Sequence, residues 1–380
     1  MAPRTVDVLA PGPCSTDPYD PSATAWALAD GLRSVGHDVR VLHPAGTGPA
    51  PGAPSVRAEA IDLPRRRPGA AVESADFAAA AGRRLRAHAD LIVRDPIGLG
   101  RLGVARRGGS PRVVGFAHAI ELARWDAERR GRAAGNVVGR WDAWRDRRAV
   151  RRLEAAALSE TDRVYFDAPE LPHALTTTYS VPAARLAPAP PPVLSSAAPP
   201  GRDAARDALR LPLDVPVVVA PVPDAGASVA VDRAVDAFRR IRPFFPGARL
   251  LLAGGAGPNA PGVVGGAARD RASFERGFAA ADVALFVGPV AGFDPGVVLA
   301  LRAGCLPVLG PAVSLPLDPG PLVRRLPSDD AGETASVLAE LLADPAGRRA
   351  GREGADGYAE RFRPERVAEL VAAGAPDASG

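Results

Sequence analysis

Short runs of apolar residues alternate along the chain with longer segments in which apolar positions recur every three or four residues. The first run covers residues 6–10. In the segment after it, four apolar residues fall on one helical face: Ala25, Leu28, Leu32 and Val35. Ser22 stands where it could cap this helix, and Gly36 stands where the helix would end. The pattern predicts a strand, a loop and an amphipathic helix.

The same alternation predicts further strands at residues 39–41, 91–93, 113–116, 164–166, 216–219, 250–252, 283–286 and 306–309. Strands separated by helical segments are typical of a parallel sheet covered by helices. A proline-rich stretch interrupts the alternation, and its composition suits an extended linker between domains. We therefore expect an α/β protein with an N-terminal domain at 1–185, a linker at 186–201, a C-terminal domain at 202–363, and a crossover helix with a tail at 364–380.

Composition excludes several classes of protein. The chain has 380 residues, of which 47% are hydrophobic and 24% charged, as in globular rather than disordered proteins. The formal net charge of +4 is small for a nucleic-acid-binding protein, so nucleic acid is not an expected partner. Cys14 and Cys305 fit no metal-ligand spacing, and we expect a reducing, cytoplasmic setting. No apolar run reaches the roughly 18–20 residues that span a bilayer, and no metal or cofactor is expected.

Five segments carry a family resemblance through their order and spacing. They lie at residues 29–39, which include Gly36-His37-Asp38-Val39, and at residues 152–164, 206–212, 280–286 and 300–308. Together they resemble glycosyltransferase family 4, a family with the GT-B fold. The resemblance implies two Rossmann-like, doubly wound domains that face each other across a cleft. It also implies transfer of a sugar from a nucleotide-sugar donor, held on the second domain, with retention at the anomeric carbon.

The chain departs from this family at four positions that would bind the donor. Retaining members have two glutamates eight positions apart, and here those positions hold Ala291 and Leu299. Members also have an arginine and a lysine that neutralise the donor diphosphate, and the matching positions hold Ala220 and Ala225. Alanine and leucine side chains neither accept hydrogen bonds nor offset charge. The resemblance therefore implies a donor site whose polar residues are largely replaced.

The loop that would meet the donor diphosphate is altered as well. In the family, backbone N–H groups at a helix N-terminus bind the phosphates. By resemblance, the donor-binding residues here are Gly292, Phe293, Asp294, Gly296 and Val297. Pro295 has no N–H to donate, and a carboxylate at Asp294 would repel a diphosphate.

One family feature remains at a strand end. Residues 116–118 are similar to the point at which members place a histidine against the donor sugar, so the resemblance makes His118 the candidate catalytic residue. A histidine at a strand end is also compatible with packing in the core, and both interpretations stay open. Asp224, Asp282 and Asp294 fit caps and turns better than catalytic acids, although Asp294 lies in the loop expected to face the donor.

Positive charge concentrates between residues 124 and 152. Against four carboxylates, this segment has three tryptophans and ten arginines: Trp125, Trp141, Trp144, Arg124, Arg129, Arg130, Arg132, Arg140, Arg145, Arg147, Arg148, Arg151 and Arg152. One interpretation is a solvated helical pair whose tryptophans pack on the domain. The other is a surface for anionic lipid headgroups or an acidic partner, since basic helices with aromatic residues bind such surfaces. The second interpretation would place the protein at the inner face of the membrane.

Two functions are compatible with these patterns. The replaced donor-site residues favour a family 4-like protein that is non-catalytic and acts as a binding or partner subunit, for example of an active glycosyltransferase. The alternative is an active retaining glycosyltransferase, of the hexosyltransferase class, with a divergent nucleotide-sugar site. Similarity of fold does not decide between them.

Overall fold

The computed structural model describes residues 2–12, 15, 17–20, 22–45, 56–63, 70–94, 100–103, 111–118, 122, 137–195, 198–222, 228–265, 270–288, 292–346 and 353–374. Within these ranges, side chains are described except at residues 70–74, 137–143 and 228. The chain divides into two compact units, one comprising Met1–Ser15, Pro21–Pro192 and Pro364–Gly380 and the other Thr16–Asp20 and Val193–Arg363.

The first unit is built on a parallel sheet with the strand order β3-β2-β1-β4-β5-β6-β7. Its elements up to the boundary are β1 (Thr5–Leu9), α1 (Ala23–Ser34), β2 (Asp38–Pro44), β3 (Arg57–Ile61), α2 (Ala70–Arg84), β4 (Leu91–Arg94), β5 (Arg112–Ala117), α3 (Val137–Glu160), β6 (Arg163–Phe166), α4 (Leu171–Tyr179) and β7 (Leu186–Pro188).

The second unit has a parallel sheet in the order β10-β9-β8-β11-β13-β15 and a separate pair, β12-β14. Its elements are α5 (Arg202–Ala208), β8 (Val217–Pro221), α6 (Ser228–Ile241), β9 (Arg249–Ala253), β10 (Val263–Gly265), α7 (Arg271–Ala280), β11 (Val283–Phe286), β12 (Gly292–Phe293), α8 (Pro295–Arg302), β13 (Leu306–Leu309), β14 (Val313–Ser314), β15 (Arg324–Arg325), α9 (Ala331–Ala343) and α10 (Ala355–Glu360). The final helix, α11 (Pro364–Gly374), lies in the first unit.

Helices cover both faces of each sheet, which explains why the central strands are apolar on both sides. In the first unit, α1 and α11 pack on one face, and α2, α3 and α4 pack on the other. In the second unit, α7, α8 and α10 pack on one face, and α6 and α9 on the other. The predicted α/β fold class is confirmed.

For α1, the predicted buried face and the predicted end at Gly36 are confirmed, but the predicted N-cap is not. The apolar positions Ala25, Leu28 and Leu32 are buried on the sheet, and Gly36 adopts a positive φ of 96° that ends the helical stretch, as predicted. Ser22 does not cap the helix as expected. It has helical backbone angles, and its side chain makes no capping hydrogen bond. An N-cap side chain reaches the first amides from an extended backbone, which Ser22 does not adopt.

The proline-rich stretch is not a uniform linker. Its residues Leu186–Pro188 form β7, which pairs with β6 at the edge of the first sheet. The division between the units falls between Pro192 and Val193. The short segment Thr16–Asp20 is grouped with the second unit, although its chain neighbours are in the first. No pattern in the sequence predicts this grouping.

Candidate functional site

Two polar residues meet at the carboxyl end of the first sheet. The register of the parallel strands β5 and β6 pairs Phe116 with Tyr165 and Ala117 with Phe166. His118 is the next residue after β5, and Asp167 is the next residue after β6. Continuing the register therefore places the two side chains opposite each other, on the sheet face to which Phe116 and Tyr165 also point.

The two side chains form a short hydrogen bond. His118 Nδ1 lies 2.5 Å from Asp167 Oδ2, and the Asp167 side chain is only 2% exposed, whereas the His118 side chain is 28% exposed. The imidazole stacks on Phe116 with ring centroids 6.2 Å apart, and Phe116 in turn packs on Tyr165. Among the described residues, Asp167 Oδ1 is buried without a hydrogen-bond partner. Phe116 thus contacts one face of the histidine ring, and Asp167 bonds its Nδ1 edge.

An ionised carboxylate only accepts hydrogen bonds, so this contact favours the histidine tautomer with its proton on Nδ1. Nε2 then carries the lone pair and can accept a proton or a hydrogen bond. Sequence reasoning identified His118 but missed Asp167. The available signal was that an acidic residue follows the strand next to the one that ends at His118, because adjacent parallel strands end at the same edge.

A different arrangement is found at the N-terminus of α8 in the second unit. Asp294 has an extended backbone and is the N-cap, and its Oδ1 accepts a hydrogen bond from Gly296 N at 2.8 Å. The Asp294 carbonyl accepts from Val297 N at 3.1 Å. Pro295, the first helical residue, has no N–H. The first amides of this helix are therefore absent or already bonded to Asp294.

Tyr19 covers the same helix end. Its ring packs edge-on against Phe274, with centroids 5.1 Å apart at 61°, and its hydroxyl lies beside Gly296 and Asp294. Gly296 is required here, because a Cβ atom at this position would collide with the Tyr19 hydroxyl. Burial raises the pKa of Asp294 to about 6, against the opposing effect of the Gly296 amide and the Tyr19 hydroxyl, which both favour the ionised carboxylate.

The other predicted donor-binding residues have packing contacts. Phe293 lies in β12, and its ring stacks on Phe362 with centroids 5.6 Å apart and planes 7° apart. Gly292 precedes it in β12 and pairs with Val313 of β14. Val297 is fully buried in the core on one face of the second sheet. These residues lie next to Asp294, as the sequence order requires, and two of their side chains are used for packing.

Two of the four replaced family positions are described, and both are in hydrophobic cores. Ala220 is buried near the end of β8, and Leu299 is buried within α8. Ala225 and Ala291 lie outside the described residues. A charged side chain at either described position would be surrounded by apolar atoms, which is unfavourable without a partner.

Asp282 has a structural role, which differs from the turn role considered for it. Its Oδ2 accepts from Arg206 Nη2 at 3.0 Å and from Val217 N at 2.9 Å. The fully buried Arg206 also donates to backbone carbonyls, among them that of Ala280 at 2.8 Å. Burial lowers the pKa of Arg206, although Asp282 opposes this. Asp224 lies outside the described residues.

The arginine-rich segment is described only in part, since residues 123–136 lie outside the described ranges and side chains are described from Trp144 onwards. Trp144 is 55% exposed, and the Arg148 guanidinium lies 5.4 Å from its ring centroid. Arg145, Arg151 and Arg152 are also exposed on α3. Trp144 is therefore not packed on the unit, contrary to the interpretation in which the tryptophans are buried.

Two further features are absent from the described residues. No helix there is long and apolar enough to cross a lipid bilayer. In the same part of the chain, no group of three or more His, Cys, Asp and Glu side chains is placed to hold a metal ion.

Comparison with known proteins adds family information to this geometry. Residues 22–194 match the family model of Glycosyltransferase Family 4. A comparison with curated protein sequences gave no match.

Several solved structures share the fold along nearly the whole chain. WaaG, a glycosyltransferase involved in lipopolysaccharide biosynthesis, has a TM-score of 0.71 at 18% identity, over 96% of this chain and 99% of that one. Sucrose-phosphate synthase from Thermosynechococcus elongatus has a TM-score of 0.69 at 17% identity, over 97% and 98%. Anabaena HepE, solved in complex with UDP and glucose, has a TM-score of 0.67 at 14% identity, over 98% and 99%.

Proposed function

We propose that this chain is a glycosyltransferase family 4-like protein that is non-catalytic and acts as a binding or partner subunit; the family match over residues 22–194 and the shared fold of solved glycosyltransferases support the family. The observation that supports this best is the occupation of the α8 N-terminus by Asp294 and Tyr19. A helix N-terminus binds phosphate through free amides and a positive dipole end. Here a carboxylate and a hydroxyl of the chain itself stand at that position.

A donor diphosphate would meet three obstacles at this helix end. Pro295 has no amide hydrogen, and the Gly296 amide would have to leave Asp294. The Tyr19 hydroxyl would have to move away from Gly296. An ionised Asp294 would also repel the phosphate charge. Each charged hydrogen bond that is not made costs roughly 1.5–3 kcal/mol of binding free energy.

The buried Ala220 and Leu299 support the same proposal. In the family, these positions would carry a cation and a carboxylate toward the donor, whereas here both side chains are part of a hydrophobic core. The polar groups have thus been replaced by residues that stabilise the unit. Core packing is consistent with a chain that retains the fold without the donor chemistry.

The partner that we propose is an active glycosyltransferase, and the location that we propose is the cytoplasmic face of a membrane. The exposed arginines and Trp144 on α3 support the location, because a basic surface with an aromatic residue favours anionic headgroups. Co-purification with an intact transferase encoded nearby would support the partner, and its absence from the purified native complex would argue against it.

Calorimetry with UDP-glucose and a panel of other nucleotide sugars tests the proposal. We expect no dissociation constant below about 1 mM and donor hydrolysis at background, because the loss of two charged contacts weakens binding by about a hundredfold or more. The double variant Tyr19→Ala/Asp294→Ser, which keeps a neutral cap, should bind UDP more tightly than the wild type. Asp318→Ser is the matched control, because Asp318 caps Gly320 N at 2.9 Å in an exposed turn.

An active transferase with a divergent site is the second candidate function, and the His118–Asp167 pair is the observation that favours it. Micromolar binding of any nucleotide sugar to the wild type, with turnover lost in His118→Ala, would establish this alternative and overturn the non-catalytic proposal.

A further inference from the structure

We propose that Arg112 and Arg163 form a binding site for the phosphate group of a small phosphorylated molecule. The two arginines are the first residues of β5 and β6, so the site lies at the edge of the first sheet where its strands begin. His118 lies at the opposite edge, after the last residue of β5. This inference goes beyond the proposed function, because it needs neither a partner transferase nor a nucleotide-sugar site.

The register of the sheet places the two arginines on one face. Arg163 pairs with Val114, and Arg112 precedes Val114 by two positions, so both side chains point to the face that holds Val114. Diagonal neighbours of this kind on adjacent strands lie about 7–8 Å apart. Two long side chains at that spacing can bond to one ligand between them.

The head group of Arg163 lies near Tyr165, on the same face. Burial raises the pKa of Tyr165, and the positive charge of Arg163 opposes this rise. Arg163 Nη1 donates to the Ala184 carbonyl at 3.4 Å, which is long for a charged donor. Its hydrogen-bonding capacity is therefore largely unused by the fold.

Both arginines have nitrogen atoms that the fold leaves without an acceptor. Arg112 Nη1 and Arg163 Nε are buried, and among the described residues neither atom has a hydrogen-bond partner. Within the same part of the chain, neither arginine forms an ion pair, in contrast to Arg40 and Arg86, which bond to the buried Asp7. Buried polar groups are normally bonded, and neighbouring like charges repel each other. An oxyanion between the two side chains would supply acceptors and offset both charges.

The nearest acid along the chain is used elsewhere. Asp162 directly precedes Arg163, and its Oδ2 accepts a hydrogen bond from Val113 N at 2.9 Å. Because successive side chains of a strand point to opposite faces, Asp162 is directed away from the face of the arginines. Arg185, which directly precedes β7 at this edge, is exposed and adds a third positive charge.

This charge and geometry favour a phosphate monoester. A guanidinium group matches the oxygen atoms of phosphate through paired hydrogen bonds, and several cations suit a group with about two negative charges. Arg112 and Arg163 are half-buried, whereas a flat bilayer contacts fully exposed side chains such as those of α3. The ligand class is therefore a small soluble molecule rather than a lipid headgroup.

Inorganic phosphate is the probe, titrated into the full chain at constant ionic strength and followed by calorimetry. We expect saturable binding by the wild type and at least tenfold weaker binding by Arg112→Gln/Arg163→Gln. Arg148→Gln/Arg152→Gln removes the same charge from exposed positions of α3 and is the matched control, which should bind phosphate as the wild type does.

Phosphatidylglycerol vesicles distinguish a lipid source of the phosphate group. Co-sedimentation of Arg112→Gln/Arg163→Gln with these vesicles should equal that of the wild type. A variant that loses vesicle binding but keeps its affinity for inorganic phosphate would assign the arginines to a lipid headgroup and overturn the small-molecule site.

Thermal unfolding shows whether the arginines have partners within the fold. Without phosphate, Arg112→Gln/Arg163→Gln should be at least as stable as the wild type, because the substitution removes repulsion between unpaired charges. Added phosphate should raise the melting temperature of the wild type but not that of the variant.

A variant that melts well below the wild type in phosphate-free buffer would overturn the site, because the arginines would then be structural. Equal phosphate binding by the variant and the wild type, or no saturable binding by the wild type, would overturn it as well. None of these results would bear on nucleotide-sugar binding by the second unit, which the calorimetry with nucleotide sugars tests separately.

Discussion

In the first unit, the residue after β5 meets the residue after β6, whereas in the second unit the residue before α8 meets the first amides of its own helix. His118 and Asp167 follow strands of the first unit's main sheet, whereas Asp294 follows β12 of the separate β12–β14 pair. The His118–Asp167 pair leaves one carboxylate oxygen without a partner among the described residues. At α8, the Gly296 amide bonds the Asp294 carboxylate, the Val297 amide bonds the Asp294 carbonyl, and the Tyr19 hydroxyl lies beside Gly296.

The two sites therefore differ in whether their polar groups are bonded within the chain. At α8 the carboxylate is bonded to its own helix, whereas one oxygen of Asp167 has no partner among the described residues. A helix N-terminus attracts a negative group, and the nearest one here is the chain's own Asp294. A strand end has no such dipole, so the state of the first site depends on which side chains the register brings together. Proteins with one fold therefore gain or lose a site through a few side chains.

The largest expected effect is on stability, and it differs between the two buried acids, Asp282 and Asp167. Asp282→Ala leaves the fully buried Arg206 without its carboxylate, which should cost about 3–5 kcal/mol of unfolding free energy. Asp167→Ala should cost about 2 kcal/mol or less, because His118 is partly exposed and can be neutral. Hydrogen exchange by mass spectrometry, read at β8 for Asp282→Ala and at β5 for Asp167→Ala, measures each loss. Equal losses would show that the burial of the cationic partner does not decide how much each carboxylate stabilises the fold.

An intermediate effect concerns the pH dependence of Asp294. Its pKa is raised from 3.8 to about 6 in the folded protein, so the folded state binds more proton than the unfolded state between about pH 4 and pH 6. Stability contributed by this group is therefore present below that window and is lost as the pH rises through it.

The unfolding free energy of Asp294→Asn minus that of the wild type should consequently be about 1–3 kcal/mol higher at pH 7 than at pH 4.5. Urea unfolding followed by circular dichroism at the two pH values gives this difference. Asp318→Asn, with the same cap geometry in an exposed turn, should show little change. An identical pH response of the two variants would show that Asp294 is not held in an unfavourable charged state.

The smallest expected effect compares one helix from each unit. Arg148→Gln/Arg152→Gln on α3 should weaken co-sedimentation with phosphatidylglycerol vesicles about thirtyfold, since each arginine near an anionic surface contributes about 1 kcal/mol. Arg239→Gln/Arg240→Gln on α6 removes the same charge from exposed positions of the second unit and should have little effect. Wild-type binding should fall as salt rises, because the Debye length is about 10 Å at 0.1 M. Equal losses in both double variants, or binding insensitive to salt, would argue against the α3 surface.

The amino-acid pattern by itself was sufficient for the fold class and for the strands of the two main sheets other than their edge strands, β3, β7, β10 and β15. Alternation and helical spacing are local properties of the chain, so the buried face of α1 and the end of that helix at Gly36 could be predicted. His118 was identified through the similarity of residues 116–118 to the strand end at which family members place a histidine. Ser22 was predicted wrongly as a cap, because capping depends on backbone angles that residue type only favours.

Only the tertiary structure decided which distant residues meet. Asp167 became a partner of His118 through the register of β5 and β6, which is set by the packing of the whole sheet. Tyr19 reached Asp294 because its short segment is grouped with the second unit, and nothing in its local sequence indicates this. Periodicity records which face of an element is buried, but contacts between residues far apart in the chain depend on how the elements pack. The two candidate sites consist of such contacts, and for that reason the sequence could supply one side chain of each pair but not the pair.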